Sequence, residues 1–74
     1  MIKFRIKVTT KEEVSFVSSI MDVPSMELFE IFYSKLHDTI GQSNFKLTDD
    51  DGDVIIFPQK VINECIIQLI KVND

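Results

Sequence analysis

The stretch from Ser25 to Ile40 limits the fold more than any other part of this chain. At about 100° per residue, Leu28, Phe29, Phe32, Tyr33, Leu36 and Ile40 fall on one stripe, and Glu27, Glu30, Ser34 and Asp38 fall opposite. Ser25 suits an N-cap, because its hydroxyl can accept from a free amide of the first turn. Gly41 suits the left-handed residue that ends many helices. One amphipathic helix with bulky apolar residues needs a sheet to cover, so the remaining segments are expected to supply strands.

They do so in an ordered way. Ile2, Phe4, Ile6 and Val8 alternate with Lys3, Arg5, Lys7 and Thr9, a period of two that puts three cations on one face of a strand. Thr10-Lys11-Glu12-Glu13 has the polarity and length of a hairpin loop. Val14 to Met21 is a second strand, with Val14, Phe16 and Ile20 expected inward, and Asp22-Val23-Pro24 ends it. After the helix, Phe45-Lys46-Leu47-Thr48 and Val54-Ile55-Ile56-Phe57 read as strands around Asp49-Asp50-Asp51-Gly52-Asp53. In that turn, Asp51-Gly52 fits a tight primed hairpin. Pro58 to Glu64 is a connector long enough for one helical turn, anchored by Val61 or Ile62. Ile66 to Val72 is the last strand, and apolar residues on both its faces suggest pairing on both sides. The expected fold is α+β, one domain over residues 1–74, in the order ββαβββ. A mixed sheet is expected, with the first and last strands parallel at its centre, joined by the long crossover that such a pair requires.

This layout resembles the ubiquitin-like β-grasp family over almost the whole chain. Conjugated members close with two glycines, whereas this chain closes Lys71-Val72-Asn73-Asp74. The resemblance therefore implies a docking or adaptor module rather than a covalent tag. A narrower likeness lies in Thr48-Asp49-Asp50-Asp51-Gly52-Asp53-Val54-Ile55, which resembles the acidic loop of PB1 domains. There the loop of one partner meets a first-strand lysine of another. By that likeness Asp49, Asp51 and Asp53 take the acidic positions, and Lys3 or Lys7 takes the basic one. The second acidic helix usual in those domains has no room between Phe57 and Ile66.

Composition removes several functional classes. Seventy-four residues bury only roughly 60% of their unfolded surface, which leaves little volume for an enclosed active site. A net charge of −4 disfavours nucleic-acid binding, which depends on clustered Lys and Arg. No apolar run approaches the roughly 18 residues of a membrane span, and the first residues lack a signal-peptide core. Cys65 is the only cysteine, so an intramolecular disulfide is excluded and a cytoplasmic location is expected. Its thiol reads as inert, because His37 lies far away in sequence. There is no glycine-rich phosphate loop, nucleophile elbow or separated carboxylate pair, so neither catalysis nor a cofactor is expected.

Binding surfaces remain. Three readings are open for the aspartates: a solvated turn, a docking site for a basic partner, or a calcium loop. The last fits badly, since Leu47 and Pro58 would take ligand positions one and twelve, so no metal is assigned. Lys3, Arg5 and Lys7 are expected beside Gln68 and Ile70 on the outer sheet face, with Ile66 and Val72 exposed nearby. A protein partner of unknown identity is the expected ligand of that face. Self-association, through the face or through Asp49, Asp51 and Asp53 against its cations, is the alternative.

Overall fold

The structure is a computed structural model that describes residues 1–40 and 42–72. Its elements are β1 (Ile2–Thr9), β2 (Ser15–Val17), β3 (Met21–Val23), α1 (Met26–Thr39), β4 (Phe45–Thr48), β5 (Val54–Phe57), α2 (Gln59–Ile62) and β6 (Ile66–Lys71). β1 is the spine of a sheet, with β2 and β3 along one side and β6 along the other. β4 and β5 form a separate hairpin. The fold is α+β, and every strand pair is antiparallel. Among the described residues no helix is long and apolar enough to cross a membrane.

The expected parallel pair at the centre is therefore corrected. β6 runs antiparallel to β1, with Arg5 opposite Ile70 and Lys7 opposite Gln68, and the sheet is not mixed. Among the described residues, β6 also lies at an edge and pairs only with β1. A long crossover permits either sense, and side-chain alternation reads the same in both directions along a strand, so the pattern held no information about sense.

The second correction concerns the strand antiparallel to β1 on the other side. β2 pairs with Val8 opposite Phe16, whereas β3 pairs with Phe4 opposite Met21, so one extra residue lies between them. This is a β-bulge, and it reverses which face each later residue takes. Phe16 faces the core before it, and Met21 and Val23 do so after it, while Val14 and Ile20 are exposed rather than inward. Ser18 fills the break. Its hydroxyl accepts from the Ile6 amide at 2.8 Å and donates to the Ser19 carbonyl at 2.8 Å, and its own amide donates to the Ile6 carbonyl. A buried serine thus replaces a ladder bond that the bulge removes.

The core joins β1 to every other layer. Phe4, Ile6, Val8, Phe29, Leu47, Phe57 and Ile62 form one buried cluster. The Phe4 ring lies 5.1 Å from Phe29 and 5.2 Å from Phe32, and the Phe16 ring lies 5.4 Å from Phe57. On α1, Phe29 is buried and Phe32, Leu36 and Ile40 are half-buried, but Leu28 and Tyr33 are exposed, so the apolar stripe is covered along its middle only. Ser25 caps the helix by accepting from the Leu28 amide. The expected role of Gly41 lies outside the described residues. Asn44 caps α2 with its side-chain oxygen on the Gln59 amide, and Ile62 anchors that turn in the core.

Candidate functional site

The alternation of β1 buries Phe4, Ile6 and Val8, so Lys3, Arg5, Lys7 and Thr9 point to the outer face. Cross-strand register then fixes their neighbours. Lys7 lies between Val17 and Gln68, Thr9 between Ser15 and Ile66, and Lys3 beside Asp22. Arg5 lies opposite Ile70 on one side and faces the bulge on the other. Ile66 is 65% exposed, Ile70 40% and Val17 40%, so three apolar side chains surround Lys7 and Gln68 in the open. Val17 was missed by sequence reasoning, although an inward Phe16 obliges its neighbour to face outward.

The three cations are not equivalent. The Arg5 guanidinium donates to the Ser18 carbonyl at 3.0 Å and to the Asp50 carboxylate at 2.9 Å, so it is committed to the chain itself. Lys7 forms no ion pair among the described residues, which leaves it the available charge of the patch.

The acidic loop is built from within. Asp49 accepts from the amides of Asp51 at 3.0 Å and Asp53 at 2.9 Å through one carboxylate oxygen. The Gly52 amide donates to the Asp49 carbonyl, and the Asp49 amide to the Asp53 carbonyl. Gly52 has φ of 85°, and Asp51 is not in the positive-φ region. The turn is thus a three-residue loop with a left-handed third position, not the expected two-residue primed turn, which needs positive φ at both central residues. Carboxylate oxygens of Asp49, Asp51 and Asp53 lie within 4.8 Å of one another. The residue that reaches β1, however, is Asp50, which sequence reasoning left out.

A third surface was not foreseen. The inner face of β6 is incompletely covered by α1, which leaves an open groove of about 390 Å³. Leu36 and Ile40 form its helix side, Ile67 and Leu69 its strand side, and Tyr33, His37 and Cys65 its rim. The thiol of Cys65 donates to the Val61 carbonyl at 3.1 Å. Burial pushes its pKa above the ordinary thiol value, and the charges of Glu12 and Glu64 push it the same way. Both effects keep the sulfur protonated and weakly nucleophilic. The periodicity of α1 placed Tyr33 and Leu36 on the apolar stripe, but it did not show that the sheet leaves them partly uncovered.

Compared with protein-family models, with curated proteins and with solved structures, the chain shows no significant match.

Proposed function

We propose that this chain is a non-catalytic protein-binding module, an adaptor or inhibitor in the cytoplasm, that engages a protein partner through the outer face of its sheet. One observation carries the reading: Lys7 and Gln68 sit among exposed Val17, Ile66 and Ile70 on one face of the sheet. Apolar contact area grouped around a cation provides both burial and charge selectivity, and scattered surface residues provide neither. The ordering of elements still resembles a ubiquitin-like β-grasp. The antiparallel pairing of β6 with β1 at the sheet edge departs from that family, but the reading keeps its residues, because side chains keep their face in either strand sense.

The alternative has Asp49, Asp51 and Asp53 meeting Lys3, Arg5 or Lys7 of a neighbouring copy. It must compete with the 2.9 Å pair already formed within the chain between Arg5 and Asp50.

The test is affinity capture from the native cell, with variants folded by circular dichroism. Ile70→Asp and Lys7→Glu are expected to weaken capture of the specific partner by tenfold or more, about 1.4 kcal/mol. Ile56→Asp, on the exposed side of β5, is expected to leave it unchanged. Equal capture by Ile70→Asp and the native chain rejects the outer face.

A further inference from the structure

The free edge of β6 is an unsatisfied half of a ladder. The Val72 amide donates to the Lys3 carbonyl, so in this antiparallel pair Ile66, Gln68 and Ile70 turn their backbone groups toward β1. Ile67, Leu69 and Lys71 must then turn theirs away, and among the described residues nothing pairs with that edge. The side chains of Ile67 and Leu69 are also the strand side of the apolar groove. An incoming strand would satisfy the backbone edge and fill the groove in one step.

The occupant is indicated by the charge pattern of β6 itself. Exposed edges in monomers are usually blunted by central charges, proline or a bulge, and the run from Ile66 to Ile70 has none of these. Its one charge is Lys71, at the end. We propose that β6 pairs antiparallel with β6 of a second copy, with Leu69 opposite Leu69 on the two-fold axis. In that register Ile67 of each copy lies opposite Lys71 of the other, so every edge group meets a partner and no two like charges face each other. Leu69 of each copy then lies on the groove side beside its counterpart, and the two sheets join into one. This surface is the edge of the sheet and is independent of the outer-face docking proposed above.

The experiment is residue-resolved amide exchange by NMR on the full chain, at low and high protein concentration, with sedimentation to follow mass. The expected result is a dimer at high concentration in which the Ile67, Leu69 and Lys71 amides become protected, while Ile66, Gln68 and Ile70 are protected throughout. Added salt should preserve or strengthen the dimer, since each copy carries −4. A synthetic chain with an N-methyl group on Leu69 keeps the β1 ladder but removes one edge donor per copy. It should dissociate roughly tenfold or more readily. If that chain proves unfolded, the exchange pattern of the native chain decides alone. A monomer at millimolar concentration in both low and high salt overturns the proposal. So does a dimer in which Ile67 and Leu69 stay unprotected, or one that salt dissolves as charge pairing of the acidic loop would require.

Discussion

Ser18 shows how much one side chain can hold when a strand breaks its pattern. The bulge between β2 and β3 takes the Ile6 amide out of the regular ladder, and the Ser18 hydroxyl returns a partner to it at 2.8 Å. Ser18→Ala leaves that buried amide without an acceptor, a loss of about 1–3 kcal/mol. Ser18→Thr retains the oxygen but adds a methyl group at a 3% exposed position, so it tests volume separately. Urea denaturation followed by circular dichroism should show the alanine variant with a lowered midpoint and an unchanged slope. A midpoint equal to that of the native chain would mean that water replaces the hydroxyl at no cost.

At the scale of elements, the two hairpin loops have the same design with different residues. Thr10 to Val14 closes as Asp49 to Asp53 does: the Thr10 amide donates to the Val14 carbonyl, and the Glu13 amide donates back to the Thr10 carbonyl. The left-handed third loop position is Glu13 in one, with φ of 67°, and Gly52 in the other, with φ of 85°. A non-glycine residue there costs about 1 kcal/mol. Glu13→Gly is therefore expected to stabilise the chain by a few tenths to about 1 kcal/mol, and Gly52→Ala to destabilise it by about 1 kcal/mol. An added Cβ at Gly52 meets nothing within 4 Å, so the second effect is conformational rather than steric. Thermal melts of both variants check the opposite signs, and shifts of the same sign contradict a shared loop geometry.

These elements also show which features the sequence could and could not carry. The strand alternation of β1, the Ser25 N-cap of α1 and the anchoring Ile62 were legible because each depends on neighbours a few residues away. The inward and outward residues of β6 were legible too, since alternation survives reversal. The sense of β6 was not, because reversing a strand leaves every side chain on its own face. Val14 was misread because it closes the hairpin loop ahead of β2 and so lies outside the strand, and Ile20 was misread because of the bulge. A one-residue bulge inverts the face of all that follows, and nothing in Val17-Ser18-Ser19-Ile20 marks where it falls. Of the candidate surfaces, the Lys7 and Gln68 pairing could be inferred, but the groove beside Ile67 and Leu69 could not. It depends on how far α1 sits from the edge, a distance that no local pattern encodes.

For the whole molecule, the decisive fact is that a chain this small has few contacts to spare, and the Phe4 ring makes two of its aromatic ones. Typical stabilities of roughly 0.05–0.15 kcal/mol per residue give a domain of this size about 4–11 kcal/mol in total. Phe4 is 1% exposed and packs against both Phe29 and Phe32 of α1. Removing such a ring costs about 3–5 kcal/mol, a large share of everything available. Phe4→Ala should therefore lower the urea midpoint by about half, or leave the chain unfolded at 25 °C. Ile70→Asp, on the open face, should cost about 1 kcal/mol or less. The contrast separates the face of the sheet that makes the fold from the face offered to a partner. If instead both substitutions shifted the midpoint equally, the two faces of the sheet would share one buried environment. The outer surface, and every contact assigned to it, would then have to be given up together.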